Sequence, residues 1–257
     1  MEFFSTDGRR IETLADWRDR GGGPVSSRRW VEGGSGRELA RSWIEGDAAA
    51  AVTSLLTSIP AFGGLVLERG IADKQTRFDD IGDEPRHHDL LVVGRAPAGT
   101  VVIGVEGTSD EGFDEPLDAW VMRASARSDQ SRAPDRLDRL TSAFFGTTLA
   151  EDPLLAPVRY RLLAAVAGTL ADACEQDAVR AVVLVHEFET AWTDDDLHRR
   201  NAENLEAFLG RLMPGAERVG DDGGWIAGPV VVAGDGTWLP AEADVYLAKL
   251  VTRTRPA

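Results

Sequence analysis

The sequence predicts an α/β fold, a mixed central sheet flanked by helices. Three observations carry this. Residues 89–95 and 100–106 are two β-rich runs around an Ala-Pro-Ala-Gly turn, which makes a hairpin. Residues 181–186, Ala-Val-Val-Leu-Val-His, are apolar on both faces, as a strand covered on both sides must be. Helical patterns lie before, between and after these strands, and the order helix, hairpin, helix, strand builds one layered sheet.

The elements follow in order. Glycine breaks at 21–24 and 33–34 on one side and Pro60 on the other bound a helix expected from Arg37 to about Ser58, with Leu39, Trp43, Val52, Leu55 and Leu56 apolar. The acidic stretch 79–84 reads as a loop. In the hairpin turn, Pro97 suits the second position and Gly99 the fourth. Residues 108–133, rich in Asp, Glu, Ser and Arg, read as a surface excursion. Pro134 and Asp135 open a short helix carrying Leu137, Leu140 and Phe144. A strong amphipathic helix is expected over about 158–175, with Leu163, Val166 and Leu170 on one face. After the buried strand come a helix at 201–213, a strand at 229–233, a Gly-Asp-Gly turn and a strand at 243–252.

The 257 residues suit one hydrophobic core, so a single domain over 1–257 is expected, with its core at about 30–213 and C-terminal strands at about 229–252. A hydrophobic fraction of 43% argues against wholesale disorder. No apolar run approaches a membrane span, and the start lacks a basic segment followed by an apolar one, so neither membrane insertion nor secretion is expected. One cysteine, Cys174, makes no internal disulfide, and four histidines leave little for structural zinc. A cytoplasmic location is the expectation. The net charge of −15 opposes tight non-specific DNA binding, since phosphate neutralisation supplies most of that affinity. No Walker A loop, dinucleotide fingerprint, Gly-x-Ser-x-Gly elbow or zinc-finger spacing is present.

The chemistry-bearing feature is a carboxylate pair. If Ala96 faces Gly99, counting outward in register sets Asp89 opposite Glu106 on one face, with Cβ atoms about 4.5–5.5 Å apart. Two carboxylates that close repel unless one is protonated or a cation lies between them. Oxygen ligands on adjacent strands suit Mg²⁺ or Mn²⁺, which could activate water and stabilise a phosphoryl transition state. The competing reading puts both acids at solvated strand ends.

Asp89 and the segment Glu106-Gly107-x-x-Asp110-Glu111-x-Phe113 resemble the core motif of the PD-(D/E)xK nuclease superfamily. They resemble more closely a bacterial family with such a core, whose motif runs Asp-Leu, a hairpin, then Val-Glu-Gly-Lys-x-Asp-Glu-Pro-Phe-Gly. Residues 30–43, 159–163 and 183–188 are similar to its first helix, later helix and strand. The resemblance implies a restriction-endonuclease-like core, Asp89 and Glu106 as metal ligands and catalytic acids, and metal-dependent hydrolysis of DNA. The sequence departs at Thr108, where the motif has lysine. Positions 106 and 108 share a strand face, so Thr108 keeps the direction without the charge. The only lysines are Lys74 and Lys249, distant in sequence. Impaired catalysis is one consequence, and the alternative is a non-catalytic fold that binds a protein or nucleic acid.

Other candidates carry two readings each. Glu38 is a possible third acid, or the partner of Ser35 in an S-x-x-E capping box. His87 and His88 are metal ligands or exposed loop histidines. His186 reads as a hydrogen-bonded structural histidine. Asp110, Glu111, Asp114 and Glu115 enlarge a metal site or form a solvated loop. Arg159 and Arg161 contact phosphate or lie on the surface, with Tyr160 in the core.

Overall fold

The computed structural model describes residues 1–20, 30–81, 85–128, 130–232 and 243–254. The glycine break at 21–24, the end of the acidic loop at 82–84 and the Gly-Asp-Gly turn lie outside the described residues.

The elements are β1 (Glu2–Ser5), β2 (Arg10–Ile11), α1 (Leu14–Arg20), α2 (Ser35–Ile44), α3 (Ala48–Thr57), β3 (Val66–Thr76), β4 (Arg86–Ala96) and β5 (Gly99–Thr108). There follow α4 (Leu117–Ala126), α5 (Ala133–Phe145), α6 (Tyr160–Glu175), β6 (Arg180–Glu189), α7 (Asp195–Leu212), β7 (Arg218–Asp221), β8 (Gly224–Val232) and β9 (Ala243–Arg253). The strands form one mixed sheet in the order β2-β1-β3-β4-β5-β6-β9-β8-β7. β5, β6 and β9 are parallel to one another, while β3–β4 and β4–β5 are antiparallel. Helices α1 to α3 supply the core on one face, including Trp17, Leu39, Trp43 and Leu56. Helices α4 to α7 supply the other, including Leu117, Leu140, Leu163 and Phe208. The α/β layering with a mixed sheet is therefore as expected.

Several boundaries differ. The helix expected over 37–58 is two helices, α2 and α3, parted at residues 45–47, where Gly46 follows the end of α2. The excursion at 108–133 contains α4, and Phe113 and Leu117 are buried, so its polar composition marks one exposed side only. Helix α7 starts at Asp195 rather than 201, because the Asp194 carboxylate caps the amides of Asp196 and Leu197. Strands β1, β2 and β3 had no place in the sequence reading. β8 begins at Gly224 rather than 229, and Pro229 falls where the β8–β9 register shifts, so its missing N–H removes no ladder bond. The hairpin register is as expected, from Ala96↔Gly99 to Leu90↔Val105.

Candidate functional site

The site is set by a change of strand phase. β3 and β4 keep one register from Ile71↔Leu91 to Lys74↔His88. Ile71 and Leu91 pack on the α6 side of the sheet. Lys74 and His88, three residues away on each strand, also reach α6, at Asp172. Residues three apart do not share a face in a regular strand. The phase changes between them, at Asp73, whose φ is 50°, and at Asp89 across from it. Arg86, His88 and Asp89 consequently all meet groups on the α6 side.

Asp89 and Glu106 do share a side, but the β4–β5 ladder stops at Leu90↔Val105, one pair short of them. The Asp89 carboxylate instead accepts from the Gly107 amide at 2.9 Å, standing in for the strand it has left. Between the two acids lies Arg161, from the first turn of α6. Its Nε donates to Glu106 at 3.0 Å, Nη2 to Asp89 at 2.9 Å and to the Gly107 carbonyl at 3.3 Å, and Nη1 to Glu111 at 3.1 Å. Arg161 is 4% exposed and Glu106 1%. The expectation of a surface or phosphate-contacting Arg161 is therefore corrected: its planar fork is used up on three carboxylates. Arg159 is only partly buried and donates to the Asp114 carbonyl at 3.2 Å.

Glu106 is also ion-paired to Arg86 and lies 3.6 Å from Nδ1 of His88. Burial works to raise its pKa, but Arg86, His88 and Arg161 outweigh burial and hold the carboxyl well below the usual range. His88 is wholly buried, against the expectation of a loop histidine, with Nε2 3.3 Å from the buried Asp172. Burial opposes its charge, yet Asp172 and Glu106 together raise its pKa. Asp172 in turn accepts from Thr76 at 2.7 Å and pairs with Lys74 at 3.5 Å. His87 is exposed and pairs with Asp73.

Thr108 is buried and donates to the Glu111 carbonyl at 2.8 Å, and Asn201 of α7 donates to both. Thr108 thus anchors the loop that presents Glu111. Ser35 is not the cap of α2. Asp110 accepts from the Ser35 amide at 3.1 Å, and the Ser35 hydroxyl donates to Glu111 at 3.2 Å. The capping box expected for Glu38 is corrected accordingly: Glu38 accepts from the Gly33 amide at 3.1 Å. It is buried at the start of α2, whose core residue Leu39 packs against the opposite sheet face, and it does not join Asp89 and Glu106. His186 is structural: Trp43 donates to Nδ1 at 3.2 Å, so Nε2 carries the proton toward Thr252, and burial pushes its pKa down to about 3.

A further polar group, absent from the sequence reading, lies along the same face at the carboxyl ends of β6 and β9. Glu187 receives Nδ1 of His198 at 2.9 Å and is ion-paired to Lys249. The signal for Glu187 was a charged residue ending an all-apolar strand. Asp172 was likewise a lone acid within an apolar helix. His88 had no signal, since it depended on the phase change.

The residues present do not fit a resident divalent ion. The facing oxygens of Asp89 and Glu106 both accept from Arg161, and among the described residues no group of three His, Cys, Asp or Glu is placed to hold a metal. Among the described residues no helix is long and apolar enough to cross a membrane.

A family model described as a domain of unknown function (DUF6946) matches residues 10–230. The chain belongs to the DUF6946 family. The matched span includes Asp89, Glu106, Glu111, Arg161, Glu187 and His198, while Lys249 lies beyond it. No curated protein and no solved structure matches the chain.

Proposed function

We propose that this chain is a non-catalytic descendant of a restriction-endonuclease-like nuclease core, acting by binding a macromolecular partner. One observation carries the reading: the Arg161 guanidinium is bonded to Asp89, Glu106 and Glu111 together. A fixed internal cation relieves the carboxylate repulsion for which the nuclease motif would use a metal. The resemblance around Glu106-Gly107 supports the ancestry, and Thr108 in place of lysine supports the loss of catalysis. The net charge of −15 favours a protein partner over nucleic acid.

The test compares wild type with Arg161→Gln. Millimolar Mn²⁺ should leave the wild-type melting temperature unchanged, and supercoiled plasmid should stay intact with Mg²⁺ or Mn²⁺. Arg161→Gln removes the guanidinium, and its melting temperature should then rise with Mn²⁺, since a ligand of the folded state stabilises it by mass action. Chelator-sensitive cleavage by wild type would reverse the conclusion and make the chain a metal-dependent nuclease.

A further inference from the structure

The Glu187 side chain, on β6, is 4% exposed and sits between two basic groups. One is Lys249 of β9, the other the ring of His198 on α7. His198 Nδ1 lies 2.9 Å from the Glu187 carboxylate. Its Nε2 lies 3.0 Å from the carbonyl oxygen of Ser109, the first residue after β5. A carbonyl oxygen only accepts, and so does an ionised carboxylate. Burial works to raise the Glu187 pKa, but His198 and Lys249 outweigh it and keep the group ionised. Both ring nitrogens must therefore carry protons for both bonds to exist. Only imidazolium has two N–H groups; neutral imidazole would set a lone pair against one of the two acceptors.

We propose that His198 is a proton-operated clamp, fastening the loop at residues 109–116 to β6 and α7 while charged and loosening it on deprotonation. The loop matters because it delivers Glu111 to Arg161 and Asp110 to the start of α2. Ser109 extends the clamp further, since its hydroxyl donates to the Gly33 carbonyl at 2.6 Å and Gly33 donates to Glu38. Asn201 holds the same loop one turn along α7 with a group that does not titrate, so deprotonation loosens the loop's beginning and leaves its middle tied. Among the described residues, the charged groups that act most on the His198 ring are Glu187 and Glu189 from β6 and, through Glu187, Lys249 from β9.

The hydrogen bond to Glu187 raises the His198 pKa; burial opposes it, and the Ser109 carbonyl and the charges of Glu187 and Glu189 add to it. A raised folded-state pKa means that the clamp's contribution is complete below the unfolded value and is lost as pH rises through the folded one. The clamp stands on its own hydrogen bonds, independent of whether the chain binds a protein or cleaves DNA.

The experiment uses the full chain. The His198 Cε1–H resonance is titrated by NMR, and amide exchange of Ser109 and Asp110, at the loop's beginning, is followed over the same pH range, corrected for intrinsic base catalysis. His198 should titrate above the ordinary histidine value. Loop protection should fall about tenfold across that titration, the size expected for one charge-assisted bond. Glu187→Gln should lower the His198 midpoint, and His198→Gln should make loop protection independent of pH. Titration at or below the ordinary value, or loop protection that ignores it, would overturn the clamp. Both wild-type measurements decide the matter even where a variant fails to fold.

Discussion

Glu106 has almost no access to water and is surrounded by Arg86, Arg161 and His88. Removing its charge leaves the buried Arg161 and His88 and the half-buried Arg86 without their common partner. Glu106→Gln should therefore destabilise the fold by about 3–5 kcal/mol, the range for breaking one side of a buried pair. Urea unfolding measures it, and a change below about 1 kcal/mol would show that water compensates the cations. The pH dependence has the opposite sign to that of His198. The folded-state pKa of Glu106 is depressed, so its contribution is present above the unfolded carboxyl value and is lost as pH falls toward the folded one. Thr108 has its own consequence. At 1% exposure and bonded to Asn201 and Glu111, it has no room for a lysine, so Thr108→Lys should lower the melting temperature without creating nuclease activity. Plasmid cleavage by that variant would contradict the Arg161-centred reading.

At the scale of elements, the decisive contact is between α6 and the shifted end of β4. His88 fits only because Gly104 of β5 and Gly168 of α6 lack side chains. A Cβ on Gly168 would meet His88 Nε2 at 2.7 Å, and one on Gly104 would meet Thr169 Oγ1 at 2.1 Å. Glycine inside a helix ordinarily costs roughly 1 kcal/mol relative to alanine. Overpacking a fixed core costs about 1–3 kcal/mol. Here the second effect wins, because His88 is pinned between Glu106 and Asp172 and the Arg86 side chain closes the same space. Gly168→Ala should thus destabilise wild type, and the sign should reverse in a His88→Ala background. A stabilising Gly168→Ala in wild type would mean that the His88 cradle is loose.

Across the whole molecule, one sheet joins two cores. Leu56 is fully buried on the α3 side and Leu163 fully buried on the α6 side. Truncating either to alanine should cost about 2–5 kcal/mol. Because β4, β5, β6 and β9 contribute residues to both cores, both variants should lower the midpoint of one common transition. Two separated transitions, each moved by only one variant, would show that the faces unfold independently.

The sequence by itself determined the layered α/β class, the β4–β5 register and the shared side of Asp89 and Glu106. These follow from local periodicity and from a two-residue turn that leaves one pairing available. It also placed most of α6, α7 and β9, whose apolar patterns are long. It could not show that the ladder ends at Leu90, since the phase change at Asp73 and Asp89 arises from how two strands meet α6. It could not assign Arg161 to the carboxylates either. Arginine at a helix start looks alike in sequence whether its fork meets water, phosphate or a buried acid. Only the docking of α6 against β5 chooses, by removing water from Glu106 and setting the Arg161 guanidinium beside Arg86 and His88 to balance its charge.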